Sequence, residues 1–367
     1  MASAKLTKTF SSDGNRQKYT ISFWVKRNSL GNQFLFNTDG GNEETYLRFK
    51  SGDSLQWFEQ DSSGSTQANR STNQLFRDFH GWYHIVITRD STQSTATDRL
   101  KFYINGVLNT LWAEDATPAQ NTNTRWNKGS VEQMIGVGVS GSSNYFDGSM
   151  THIHFCDGYA YAASSFGETD ATTGIWKPKT SPSVDYGTNG FFLKMDNSGN
   201  MGLDSSGQSN NWTTSGTIIQ NKDTPSNVFA TLNPLIRTSP SQPTYSHANT
   251  TQTPNSGAYQ NAFSTLGITG GGKYYWEIKV NGTANSANYM GVSNASEFNS
   301  RQQSGNVIGA NSSSYSVAGS GGSKRTNDSN SSYGSTFADG DIMMGALDLD
   351  NGKIFFGKNG TWFDSGN

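Results

Sequence analysis

The stretch HGWYHIVITRD (80–90) sets Tyr83, Ile85 and Ile87 against His84, Val86 and Thr88. Apolar residues at every second position describe a strand, because successive side chains of a pleated backbone point to opposite faces. The same period returns on either side. In YTISFWVKR (19–27), Ile21, Phe23 and Val25 share one face while Ser22, Trp24 and Lys26 share the other. In LKFYINGV (100–107), Leu100, Phe102 and Ile104 alternate with Lys101, Tyr103 and Asn105. Tyr274, Trp276, Ile278 and Val280 form a further stripe, and Ile354 with Phe356 another. The pattern predicts half-buried strands, packed on one side. No stretch carries a convincing helical stripe. Asp-Gly pairs at 13, 39, 147, 157 and 339, and Asn-Gly pairs at 105, 189, 281, 351 and 359, supply the positive φ that two-residue hairpins need. Many short strands with regular turns predict an all-β chain of sandwich or jelly-roll type.

Composition sets the limits. The 367 residues suffice for two ordinary domains. Only 15% of them are charged, yet 9 Trp, 15 Tyr and 21 Phe are present. Disordered chains lack aromatics of this abundance, whereas a thin sandwich core is built from them. A net charge of −2 gives no reason to expect nucleic acid or an anionic membrane as partner. Cys156 is the only cysteine, so one chain makes neither a disulfide nor a thiolate metal cluster. That usage favours folding in a reducing cytoplasm. The opening MASAKLTKTFSSDG has no apolar core of a signal peptide, and no run of about 18 apolar residues is found, so neither export by signal nor membrane insertion is expected.

The alternation weakens between about residues 170 and 265, where seven of the eight prolines fall amid Ser, Thr and Asn. This reads as an irregular connector over 171–265, between strand-rich regions at 1–170 and 266–367. Phe191, Phe192, Leu193 and Trp212 are the exceptions within it, apolar enough to pack as a strand or staple against a neighbour.

Two stretches carry family resemblances. YTISFWVKR (19–27), LFNT (35–38), YLRF (46–49), HGWYHIVITRD (80–90), LKFYINGV (100–107) and YFDGSMTHIHFCDGYAYAASSFGE (145–168) follow in order. They resemble the laminin-G-like, concanavalin A-type jelly roll over residues 1–170. GGKYYWEIKV (271–280), YMGVSNASEF (289–298) and FADGDIMMGALDLDNGKIFFGKNGTWFDSG (337–366) resemble a SPRY domain, also a concanavalin A-like sandwich, which this sequence leaves incomplete at its C-terminal end. The resemblances thus imply two concanavalin A-like antiparallel sandwiches joined by a Pro/Asn/Ser-rich connector. With LDSSG (203–207) and FATLNPL (229–235) between them, the pairing resembles structural proteins of marine tailed phages. That resemblance implies a virion protein made in the host cytoplasm and exposed on the particle. Its partners would be other virion proteins, copies of itself and a host-surface glycan. A capsid or tail decoration protein that docks other virion proteins is the alternative. A secreted adhesin is disfavoured by the missing signal.

Acids, histidines and aromatics are the residues that could carry chemistry. A retaining glycosidase needs two carboxylates about 5–5.5 Å apart. Glu43 and Glu44 are adjacent and would face opposite sides, while Glu59 with Asp61, and Asp348 with Asp350, border turns and read as solvated acids. His152 and His154 sit at i, i+2 with Met150 and Cys156 on the same face, a spacing that suits a metal but lacks a third ligand. Cys156 reads as a structural thiol. Laminin-G-like domains often bind Ca²⁺ at the sandwich rim, and that resemblance makes Asp39, Asn42, Asn144 and Asp147 candidate calcium ligands, set against plain turn chemistry. Trp24, Trp57, Trp82 and Tyr145 are candidate sugar platforms, set against the core that most sandwich aromatics fill. The reading is a non-enzymatic, glycan-binding surface protein.

Overall fold

The computed structural model describes residues 4–138, 141–236, 242–255, 259–282, 288–296, 307–319 and 321–366. Pro240, and Glu297 with Phe298 of the SPRY-like stretch, lie outside these. The chain divides into two compact units, Met1–Phe229 and Ala230–Asn367.

Among the described residues, sixteen strands build the first unit. They are β1 (Lys5–Thr9), β2 (Lys18–Arg27), β3 (Gln33–Gly40), β4 (Glu43–Phe49), β5 (Ser54–Gln60), β6 (Thr66–Leu75), β7 (Tyr83–Asp90), β8 (Leu100–Ile104), β9 (Val107–Leu108), β10 (Trp112–Ala116), β11 (Glu132–Ile135), β12 (Gly148–Asp157), β13 (Gly167–Thr169), β14 (Trp176–Pro178), β15 (Phe191–Leu193) and β16 (Thr213–Ser215). Eight form one sheet in the order β10-β6-β5-β4-β3-β11-β1-β16, and six form the other in the order β15-β12-β2-β7-β8-β9. All of their pairings are antiparallel. This is an all-β jelly-roll sandwich. In its core Ile21, Phe23, Val25, Ile85, Ile87 and Phe102 from one sheet, the residues the alternation predicted, meet Leu35, Leu47, Phe49, Leu55 and Trp57 from the other, which it did not single out.

An ion pair crosses this core. Arg89 of β7 grips Glu59 of β5 through Nε (2.8 Å) and Nη2 (3.0 Å), and both side chains are almost wholly buried. Burial works against the guanidinium, but the Glu59 carboxylate outweighs it and holds Arg89 above its ordinary pKa. Trp57 Nε1 donates to the same carboxylate at 2.8 Å. Glu59, expected as a solvated turn acid, is therefore structural. Bidentate pairing is what makes a buried carboxylate tolerable.

The expectation of strands packed on one side fails for β2 and β7. Ser22, Trp24, Lys26, His84, Val86 and Thr88 all lie on the face away from the core, and all are buried. The reason is a third layer made from segments of residues 158–229, among them 159–186 and the stretch around Asp223, which take in much of the expected connector. Thr20 Oγ1 donates to the Tyr159 carbonyl (2.8 Å) and Thr88 Oγ1 to that of Tyr161 (2.5 Å). Val86, Cys156, Ala163 and Phe166 form a small apolar cluster there, joined by Trp176, Val184 and Tyr186. Further on, Lys26 Nζ meets Asp223 Oδ2 at 2.9 Å, and Trp82 Nε1 donates to the same oxygen at 3.2 Å. Phe191–Leu193 pairs with β12 as the sheet's edge strand, and Trp212 closes the core beneath Phe191 (4.9 Å between rings). The first unit thus runs past residue 170, because those apolar residues complete it.

The second unit is smaller. It holds β17 (Thr244–Ser246), β18 (Thr251–Thr253), β19 (Lys273–Lys279), β20 (Tyr289–Ser293), β21 (Ser314–Ala318), β22 (Lys324–Thr326), β23 (Ser329–Ser331), β24 (Ile342–Asp348), β25 (Lys353–Lys358) and β26 (Thr361–Trp362). Two four-stranded antiparallel sheets, β19-β24-β25-β26 and β20-β21-β22-β23, enclose Met290, Val317, Tyr333, Phe337, Met343 and Phe356.

Candidate functional site

Three of the four expected sugar platforms offer no surface. Trp57 is in the core (1% exposed), Trp24 (3%) stacks on His84 at 4.8 Å, and Trp82 (9%) is held by Asp223. The third layer covers Trp24 and Trp82, which alternation alone would have left outside. Tyr145 is partly exposed, with its hydroxyl 3.5 Å from the Gly141 carbonyl.

The expected calcium ligands do not converge. The Asn144 carbonyl accepts from Phe34 N at the start of β3, whereas Asp39 and Asn42 lie at the hairpin closing its other end. Five residue-to-residue rises of strand separate Phe34 from Asp39, roughly 17 Å. Asp39 Oδ1 accepts from Gly41 N at 3.0 Å, as turn chemistry requires, and the Asp147 carbonyl is used by Asn28 N. Among the described residues no group of three or more His, Cys, Asp or Glu side chains is placed to hold a metal.

The histidines are placed differently from the expectation. His152 has φ +48°, and the β2–β12 register shifts between Thr151 and His154. This bulge changes the parity of the strand. Met150, paired with Val25, packs against the core, while His154, paired with Ser22, and Cys156, paired with Thr20, face the third layer. His154 stacks on Phe192 at 3.9 Å and shares a 2.8 Å hydrogen bond with the Tyr186 hydroxyl. Burial, with His152 beside it, pushes its pKa well down. Burial likewise pushes the Cys156 thiol far up, leaving no thiolate to react.

Ser22 and His84 resemble the start of a nucleophile relay, with Oγ 2.9 Å from Nε2. The third member is wrong for one. Trp176 Nε1 donates to His84 Nδ1 at 3.0 Å, so Nδ1 is an acceptor and the ring proton sits on Nε2, pointing at Ser22. A histidine that already donates to the hydroxyl cannot take its proton. Burial lowers its pKa to about 3. Four of the acids, Glu43, Asp61, Asp348 and Asp350, are equally committed. Glu43 is ringed by Arg16 (3.1 Å), Arg125 (3.0 Å) and Lys128 (2.6 Å), and Asp61 caps its own turn through Ser63 and Ser65. Asp348 is bound by Asn351, and Asp350 by Gly272 N.

A surface with ligand-binding chemistry lies instead where the chain leaves β12. Gly158 (φ +88°) turns the backbone, and Thr20 pins the next segment by accepting from Tyr161 N at 2.8 Å. Tyr159 and Tyr161 then stack 5.8 Å apart with planes within 10°, and Tyr159 is 37% exposed. Asp185 locks the pair. Its carboxylate accepts from Tyr159 Oη at 2.8 Å and from Gly187 N at 2.9 Å, and its own N–H donates to Tyr161 Oη at 3.0 Å. The Gly187 N–H, then the Tyr159 hydroxyl, hold the Asp185 carboxyl below the usual carboxylate range. Beside it opens a shallow depression lined by Pro182, Ser183, Val184, Asp185, Tyr186, Ser206 and Gln208. An exposed ring, an ionised carboxylate with unused lone pairs, and side-chain hydroxyl and amide groups therefore stand together. The sequence pattern YAY (159–161) hints at the tyrosines, but nothing local joins them to Asp185.

The open face of the eight-stranded sheet is a weaker candidate. Arg48 Nε donates to Gln56 Oε1 (2.8 Å), Gln56 Nε2 to Asn69 Oδ1 (2.7 Å), and Lys50 and Ser71 both reach Glu114 Oε2 (2.9 and 2.8 Å). Tyr46, stacked on Phe58 at 4.9 Å, is only 8% exposed and offers no ring face. This ladder satisfies itself.

Comparison with known proteins agrees with the fold. Residues 3–164 match the concanavalin A-like lectin/glucanases superfamily, and residues 273–365 match the SPRY domain. No curated protein matches the chain. Among solved structures, a SAP-like pentraxin from Limulus polyphemus is similar at 16% identity, over 43% of this chain and 71% of that one, with a TM-score of 0.33. Domain 4 of an extracellular arabinanase from Geobacillus stearothermophilus, in complex with arabinotriose, is similar at 20% identity, over 41% and 66%, with a TM-score of 0.30. The Ruminococcus gnavus IT-sialidase CBM40, bound to α2,3-sialyllactose, is similar at 16% identity, over 45% and 96%, with a TM-score of 0.29. The first strand-rich region of this chain is thus similar to the concanavalin A-like lectin/glucanases superfamily and the second to the SPRY domain.

Proposed function

We propose that the first domain is a non-enzymatic carbohydrate-binding module that uses the Tyr159–Asp185 shelf. The observation that carries this is the pairing of an exposed tyrosine face with an ionised carboxylate at the lip of a polar depression. Sugars present apolar C–H faces and polar edges, so they call for a ring beneath and acceptors beside it. The absence of catalysis is supported by the proton placement on His84 and by the pairing of Glu43 and Glu59 with cations.

The test is a glycan array probed with the full chain and with Tyr159→Ala and Asp185→Asn. Each substitution is expected to weaken binding by about tenfold, since a ring contact or a charged hydrogen bond is worth about 1–1.5 kcal/mol. Undiminished binding by both variants, or hydrolysis of a bound glycan, sinks the reading.

The biological setting we propose is a tailed-phage particle, where the chain attaches to host-surface glycan and packs against other virion proteins and its own copies. The support is the resemblance carried by the two domains and the LDSSG and FATLNPL stretches between them. Antibody labelling of purified particles tests it, and a chain found only in the soluble fraction of lysed host cells refutes it.

A further inference from the structure

We propose that the second unit carries its own carbohydrate site, on the outward face of the β19-β24-β25-β26 sheet, with a neutral pyranoside as ligand. Register fixes which residues share that face. Trp276, Met343 and Phe356 point into the core, so Tyr275, Glu277, Met344, Ala346, Phe355 and Trp362 point away from it. Tyr275 is 55% and Trp362 36% exposed, a heavy display of aromatic surface for one sheet face.

The two rings make a corner. Their centroids are 6.2 Å apart and their planes meet at 79°. Gly357 makes this arrangement feasible: a Cβ there would come within 3.1 Å of Trp362 Cε3 and 2.6 Å of the Thr361 carbonyl, so the indole settles against bare backbone. Ala346, between Tyr275 and Phe355 in the same cross-strand row, keeps the floor low. At the lip, Tyr275 Oη donates to Glu277 Oε1 at 2.5 Å. Glu277 is exposed, and among the described residues its other carboxylate oxygen keeps its lone pairs for a ligand.

Two observations select a sugar over an apolar partner. Lys273, Glu277, Lys279, Asp348 and Lys353 all lie on this face, and Lys273 pairs with Asp348 at 3.5 Å. Charge so close to the centre is what protein–protein interface cores lack. Perpendicular rings also fit a pyranose, one beneath its C–H face and one along its edge, while Glu277 and Lys279 serve its hydroxyls. Both signs of charge flank the corner, which favours a neutral sugar over an acidic one.

The experiment uses the full chain with cellotriose, laminaritriose and N-acetyllactosamine as probes, read by saturation-transfer NMR and tryptophan fluorescence. Tyr159→Ala removes the first domain's shelf and serves as the background. In it, at least one probe is expected still to bind. Trp362→Ala should then weaken binding about tenfold, the loss of one ring contact. Glu277→Gln, which keeps the packing, should weaken it severalfold and guards against misfolding of the tryptophan variant. No residual binding of any probe in the Tyr159→Ala background overturns the proposal and leaves the first site standing. Residual binding unmoved by both Trp362→Ala and Glu277→Gln overturns it as well. So does a concentration-dependent dimer that Trp362→Ala abolishes while no probe binds, since a second copy would then be the occupant.

Discussion

Acid should loosen the first domain well before its carboxylates titrate, and His84 is the reason. In the fold its pKa is lowered to about 3 by burial, with His152 adding a smaller push. Unfolded, it returns to about 6.5. Between those values the unfolded chain carries a proton that the folded one does not, so stability must fall as pH falls. The contribution is intact above pH 6.5 and erodes by about 1.4 kcal/mol per unit toward pH 3. Between pH 8 and pH 5, His84 alone removes about 2 kcal/mol. His154 is shifted the same way and steepens the slope. The lowered carboxylates Asp53 and Glu43 also lose stability in acid, but their unfolded pKa values lie near 4, below this window. Hydrogen exchange of the buried β2 and β7 amides across pH 5–8, corrected for intrinsic rates, reads the effect in this domain. His84→Gln offers Ser22 and Trp176 a donor and an acceptor without a titrating proton, and it should flatten the slope by about one proton. Stability that is level from pH 8 to 5, or an equal slope in the variant, would refute the tautomer and burial argument together.

Other consequences can be checked on the same domain. Glu59→Gln strips Arg89 of its counter-charge inside the core and should cost about 3–5 kcal/mol in chemical denaturation, whereas the Glu59→Met, Arg89→Met double variant should recover much of that. Asp223→Ala leaves the buried Lys26 unpaired, so it should destabilise by a similar amount and raise proteolysis within residues 219–229. Gly106 has φ +85° and faces Trp176, which a Cβ would meet at 3.0 Å, so Gly106→Val should cost about 2 kcal/mol or more in thermal unfolding and lift residues 174–178 from His84.

The local pattern carried the strands and their inward faces. Ile21, Phe23, Val25, Ile85, Ile87 and Phe102 are in the core because a period of two leaves one face to bury and antiparallel pairing keeps partners in step. The turns followed in part: Asn105-Gly106 and Asn359-Gly360 adopt positive φ at both residues and Gly158, Gly282, Gly340 and Gly352 at the glycine, whereas the pairs at 13, 39, 147 and 189 do not, and Gly40 and Gly148 lie within strands. What happens on the other face of those strands was not legible. Alternation says that Trp24, His84 and Cys156 point away from the core, but not that a later part of the chain returns to cover them. For β2 and β7 that covering layer comes from residues 73 to 197 positions away along the chain, held by single contacts such as Tyr161 to Thr88, Trp176 to His84 and Asp223 to Lys26. Such contacts have no period to read. The bulge at His152 is equally silent in sequence, yet it sends Met150 inward and His154 outward. The binding shelf depends on the same long-range geometry, because Tyr159 gains its carboxylate partner only when the chain from 182 to 187 folds back beside β12. Period and turn chemistry are properties of neighbours along the chain, and burial and site assembly are properties of neighbours in space.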